Sequence, residues 1–111
     1  QIACDVSKGA AARISGIQAP SFEDNESSFE ELLARISKTI DFLNSLPADK
    51  INGTEAKEIK FQAGPYELDF TGATYLSMWA LPNIYFHVTT TYNILRHNGV
   101  ALAKLDYVGT P

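Results

Sequence analysis

From Thr71 to Leu95 the chain runs for 25 residues without an Asp, Glu, Lys or Arg. A stretch that long, with no charge, either crosses a membrane or packs against other parts of a fold. Pro82, Asn83, His87, Thr89, Thr90, Thr91 and Asn93 make it too polar for a bilayer, so no membrane partner is expected. The run splits instead into two helices. Residues 73–80 form a short one, with Tyr75, Leu76, Met78, Trp79 and Leu81 around it. Pro82 then opens a second at the first-turn position, where its missing N–H costs nothing. That helix runs to about Asn98 and is closed by Gly99. Ile84, Tyr85, Phe86, Val88, Tyr92, Ile94 and Leu95 cover most of its circumference, which predicts a central helix.

A central helix needs neighbours, and the rest of the chain supplies some. In residues 1–15, Ile2, Val6, Ala10 and Ile14 recur every four positions, and Gly16 stands where a helix would end. Nothing ahead of Ile2 can cap this helix, so it is expected to extend backwards beyond Gln1. Residues 28–45 carry the clearest stripe: Phe29, Leu32, Leu33, Ile36, Ile40 and Leu43. Ser27 or Ser28, each with a Glu three residues on, closes a capping box, Glu31–Arg35 forms an i,i+4 pair on the wet face, and Pro47 ends the element. Burial of that stripe would contribute about 1.5–3 kcal/mol per large side chain, so it too predicts partner surfaces.

The period then changes from helix to strand. Ile59 and Phe61, then Tyr66, Leu68 and Phe70, alternate with polar residues on either side of Gly64-Pro65, predicting a hairpin over 58–62 and 66–70. Residues 100–108 hold a last short turn, with Leu102, Leu105 and Val108 returning to the core. The whole of 1–111 reads as one mainly α domain with three long helices, one short of a four-helix bundle. A further helix or a symmetric partner would complete it.

Charge and composition limit the chemistry. Thirteen acids against nine bases leave a net charge of −4 and no basic field for nucleic acid or an anionic membrane. One cysteine excludes an internal disulfide, and Cys4 reads as a small buried apolar group. Glu23, Asp24, Glu26, Glu30 and Glu31 are crowded before and into the second long helix; they read as complementing its dipole rather than as an EF-hand, whose central Gly is missing. Asp5 and Lys8 read as charges at the edge of the bundle. There is no Gly-rich phosphate loop, Ser elbow, HExxH or Cys pair. Both histidines, His87 and His97, lie on the 82–98 helix, roughly 15 Å apart along its axis, too far to share one metal ion. With Thr90 and Asn93 they could line a polar pocket, faced by Gln1 or Asp5 from the first helix.

The segment from Ala80 to Gly99, with Lys104-Leu-Asp-Tyr107, Gln1-Ile-Ala-Cys-Asp5 and Phe22-Glu-Asp-Asn-Glu26, resembles the DUF1993 family of uncharacterised bacterial proteins over essentially all 111 residues. The resemblance implies a DinB/YfiT-like four-helix (up-down) bundle, here lacking its first helix. Many members of that superfamily resemble metal-dependent enzymes with one His on the second helix and an HxxxH pair on the last. His97-Asn98-Gly99 matches the second His of the pair, but Asn93 stands where the first would be, and the second-helix region offers Gln1 or Asp5 and no His. Asn and Gln are poor Zn²⁺ or Ni²⁺ ligands beside imidazole, so the expectation is no metal, no cofactor and no superfamily activity. The chain is expected to be cytoplasmic and to self-associate as a homodimer or higher oligomer. The alternative is an enzyme or small-ligand binder around His97 and Asn93, with Zn or Ni as its metal.

Overall fold

The structure, a computed structural model, describes residues 1–109. Its elements are α1 (Ile2–Ser15), α2 (Phe29–Ser45), a 3₁₀ turn (Ala48–Lys50), β1 (Glu58–Ala63), β2 (Tyr66–Thr71), α3 (Gly72–Thr74), a π-helical stretch (Tyr75–Ala80), α4 (Leu81–His97) and α5 (Lys104–Val108). α1 ends as its sequence predicts: Gly16 takes φ 77° and its N–H reaches the Ala12 carbonyl. Lys57 adds a side-chain cap, its Nζ donating to the carbonyls of Arg13 and Ile14 at 2.9 and 2.8 Å. α2 starts at Ser28, whose hydroxyl accepts from the Glu31 N–H while the Glu31 carboxylate accepts from the Ser28 N–H.

β1 and β2 pair antiparallel with Ile59 opposite Phe70 and Phe61 opposite Leu68; each strand is one residue longer than expected, leaving Gly64-Pro65 as a two-residue turn. One face of this hairpin closes the core. Ile59 joins Ala10 and Ile14 of α1 and Tyr75 and Ala80 of the π-helical stretch, with Ile51, Phe61, Phe70 and Trp79 packed round them. Phe61 meets Tyr75 and Trp79 edge-on at 5.5 and 5.8 Å between centroids, geometry that aromatic quadrupoles favour. The Arg13 guanidinium sits over Phe61 and donates to the Tyr75 hydroxyl. Gly72 is required where β2 turns into the helix: a Cβ there would run into the Thr54 carbonyl.

Four expectations need correction. The short helix and the 82–98 helix are one continuous helical run from Gly72 to His97. Its π-helical part, where the Leu81 N–H reaches back to Leu76, absorbs the turn at which Pro82 supplies no donor. α4 is not central: none of its residues is buried. The helix packed against both α2 and α4 is α1. The α2 stripe is also uncovered, with Phe29 73% and Leu33 64% exposed; the residues α2 buries are Arg35 and Thr39. Finally, Arg35 does not form the expected wet-face pair with Glu31; it is enclosed, and Glu31 is used as the cap.

Candidate functional site

Successive residues of a helix are about 100° apart, so Ile36 points a quarter-turn away from Arg35. α2 therefore turns Arg35 and Thr39 towards the core while Ile36, Ile40 and Leu43 face sideways. α4 runs back along α1 from the Tyr75–Ala80 end and presents Val88, Tyr92 and Leu95. Between these two walls lies an open apolar groove of about 430 Å³ with Ala3, Cys4 and Ser7 of α1 as its floor. Leu102, Asp106 and Tyr107, from the segment after α4, close one end. Tyr107 packs edge-on to Tyr92, and its hydroxyl lies 3.1 Å from that of Thr89. Cys4 is buried, as its sequence context suggests.

The second feature is an ion cluster that pins residues 17–27 to the two helices. Arg35 is 3% exposed. Its guanidinium donates to both oxygens of Asp5 at 2.8 Å, to Glu26 at 2.8 Å and to the Glu23 carbonyl at 3.1 Å, and pairs with Asp24 at 2.9 Å. Lys8, also buried, pairs with Asp5 at 2.9 Å and donates to the Pro20 carbonyl. Both cations lie over the Phe22 ring. So Lys8 is not the bundle-edge charge expected of it, and Asp24 and Glu26 serve Arg35 rather than the α2 dipole. Hydrogen bonds from Arg35 and Gln1 hold the Glu26 carboxyl down at about 2. Burial pushes Asp5 up, but its bonds to Lys8 and Arg35 outweigh that and leave it below the usual carboxylate value. Hydrogen bonds to Glu26 and Asp5 raise Arg35 above its ordinary value.

The six residues of the predicted pocket fall into two groups. Thr90, Asn93 and His97 share the exposed outer face of α4, roughly 180° from the groove face, and His87 is half-buried with its ring edge-on to Phe86 at 5.2 Å. Asp5 is engaged by Arg35 and Lys8, and Gln1 donates to Glu26 at 2.6 Å. No hydrogen bond or ion pair among the described residues links the two groups. Among the described residues, no three His, Cys, Asp or Glu side chains are grouped as a metal ion would need. Nor, among the described residues, is any helix long and apolar enough to cross a membrane. Sequence reasoning anticipated an exposed apolar groove, filled by a neighbouring chain or left partly open, and missed the enclosure of Arg35. The groove had a signal, the helix count; Arg35 had none, because its partners lie up to 30 residues away.

Comparison with known proteins follows the same lines. The model of the family described as a domain of unknown function, DUF1993, matches residues 1–108. A DinB family member protein from Shewanella denitrificans, known from a crystal structure, is 37% identical with a TM-score of 0.85. The match covers 100% of this chain and 63% of that one, so the chain spans less than two thirds of its relative's length. A search of the curated proteins found no match.

Proposed function

The chain belongs to the DUF1993 family, and we propose on that premise that it is a helical-bundle protein without metal-dependent chemistry whose copies associate through the apolar groove. Its fold, mainly helical and DinB-like, is on this reading a four-helix up-down bundle whose first helix lies outside these residues. The reading includes a homodimer or higher homo-oligomer, a cytoplasmic location and no nucleic-acid partner, the last supported by the net charge of −4.

The observation that carries self-association is the continuity of exposed apolar surface across the groove. Ile36 and Ile40 on one wall and Val88 on the other stand exposed, and Phe29 and Leu33 of α2 and Tyr85 of α4 are exposed outside the lining. Monomeric proteins rarely leave so extended an apolar patch uncovered. The absence of metal chemistry is supported by the ligand set. Asn93 replaces one imidazole, and the first-helix candidates Gln1 and Asp5 are held by Glu26, Arg35 and Lys8.

Sedimentation velocity across a concentration series tests the association. A concentration-dependent dimer, lost in Ile40→Asp with the helical spectrum intact, is expected; a monomer at all concentrations overturns it.

A second reading keeps His97 and Asn93 as a small-ligand or metal site, because both are exposed one turn apart on the same face of α4. Near-stoichiometric Zn or Ni in untreated protein, lost in His97→Ala, would establish it in place of the first.

A further inference from the structure

The dipeptide Asn-Gly occurs twice, at 52–53 and at 98–99, and the fold treats the two differently. In this dipeptide the backbone nitrogen of the glycine can attack the side-chain carbonyl of the asparagine and close a succinimide ring, because glycine has no Cβ to obstruct the approach. Ring closure needs a glycine N–H outside any hydrogen bond, an asparagine amide free to turn, and water within reach.

Asn52-Gly53 meets these conditions. Both residues are exposed, in the turn between the Ala48–Lys50 3₁₀ turn and β1. The bonds that hold this turn run from the Asn52 N–H to the Ala48 carbonyl at 2.8 Å, and from the Thr54 N–H and hydroxyl to the Ile51 carbonyl at 3.3 and 2.7 Å. They bracket the peptide that joins 52 to 53. Among the described residues, neither that peptide's C=O and N–H nor the Asn52 side chain has a hydrogen-bond partner. A Cβ built on Gly53, which takes φ 83°, would meet nothing within 4 Å, so the attacking nitrogen stands in open space.

Asn98-Gly99 is just as exposed but tied to the end of α4. Asn98 Nδ2 donates to the Ile94 carbonyl at 2.8 Å, and the Gly99 N–H donates to the Arg96 carbonyl at 3.1 Å. Here the nucleophile is occupied and the side-chain amide is turned back along the helix, so both bonds must open before a ring can form.

We propose that Asn52 is a site of spontaneous covalent modification, where the folded chain converts to aspartate and isoaspartate, and that the fold protects Asn98 from the same reaction. The Gly53 nitrogen bonds to Asn52 Cγ while the Cγ–Nδ2 bond breaks. The proton from the Gly53 nitrogen passes through water to the departing nitrogen, which leaves as ammonia. Water then opens the succinimide at either carbonyl. Both products add a negative charge, and the isoaspartyl form also lengthens the main chain by one carbon. That change falls just ahead of the Thr54 carbonyl, which accepts from the Lys57 N–H at 3.0 Å, and the Glu55 carbonyl, which accepts from the Ala73 N–H at 3.0 Å. The isoaspartyl carboxylate makes the aged chain a substrate for carboxyl-methylating repair enzymes.

The test incubates the folded chain in mildly alkaline buffer beside the same chain unfolded in guanidinium chloride. Peptide mass mapping follows each asparagine, and an isoaspartyl methyltransferase with a labelled sulfonium methyl donor reads isoaspartate. In the folded chain Asn52 should convert about tenfold faster than Asn98, the protection expected of two hydrogen bonds that must open first. In denaturant the two should convert at similar rates. Methyl incorporation into the folded chain should follow the loss of Asn52 and disappear in Asn52→Gln. A folded chain in which Asn98 converts as fast as Asn52, or in which neither converts while both do in denaturant, would overturn the proposal. So would a difference that persists in denaturant, because local sequence and not the fold would then set it.

Discussion

The two ends of the molecule use similar amounts of apolar side chain to opposite effect. At the hairpin end, Ile59, Tyr75 and Ala80 are almost wholly removed from water, and Phe61, Phe70 and Trp79 pack in edge-on or tilted contacts round them. At the groove end, α2 and α4 carry side chains just as large, and most stand exposed. The difference lies in what each element meets. The hairpin lies within about 20 residues of the π-helical stretch, and both close on Ala10 and Ile14 of α1, so its apolar face is covered from two sides. The α2 stripe and the groove face of α4 both turn towards one empty corner. What holds α2 to α1 is largely ionic, the Arg35 cluster, and not hydrophobic contact. Apolar density therefore reports where a surface wants to be covered, not whether this chain covers it.

Mutations can break or sharpen that contrast. Tyr75→Ala should be the costliest, about 3–5 kcal/mol in urea unfolding, since it empties the centre of the closed end and removes the hydrogen bond from Arg13. Arg35→Ala should cost about 2–3 kcal/mol by the same measurement. That is less than a fully enclosed pair, because Asp5 and Asp24 keep contact with water. Gly72→Ala should lose about 1–3 kcal/mol by forcing β2 and the Thr54 backbone apart.

The pH response follows from the same cluster. The folded-state pKa values of Asp5 and Glu26 lie below their unfolded ones, so their contribution is fully present above the ordinary carboxylate range. It is lost as pH falls from about 4.5 towards 2. Urea midpoints over that range should drop steeply in the parent and more gently in Arg35→Ala; equal slopes would mean the cluster does not hold α2. Smallest of all, Ile40→Ala, on the groove wall and half exposed, should change stability by no more than about 1 kcal/mol in this chain. A loss of 2 kcal/mol or more, roughly that of a core leucine, would show the groove already filled.

Much of the local structure was legible. The Ser28–Glu31 box, Gly16 after α1 and the alternation around Gly64-Pro65 each depend on residues within a few positions of one another, and each element forms where they place it. The resemblance to the DUF1993 family rests on residues spread over the whole chain and holds over 1–108. The candidate site was legible only in part. His97 and Asn93 do share a helix face, as their spacing requires, but which way that face looks is settled by how α4 lies on α1.

The sequence by itself determined α1, α2 and the hairpin with their ends, though not the join of the 73–80 helix to α4, and it carried more apolar surface than three helices cover, because capping, turns and periodicity are short-range effects. Only the tertiary structure decided that α1 and not α4 lies in the middle, that Arg35 is enclosed by carboxylates from α1 and from the 17–27 connection, and that the uncovered surface gathers into one groove. Those outcomes depend on the relative rotation of helices distant in sequence. A quarter-turn of α2 is enough to exchange Arg35 for Ile36 at the interface, and local periodicity cannot distinguish the two orientations.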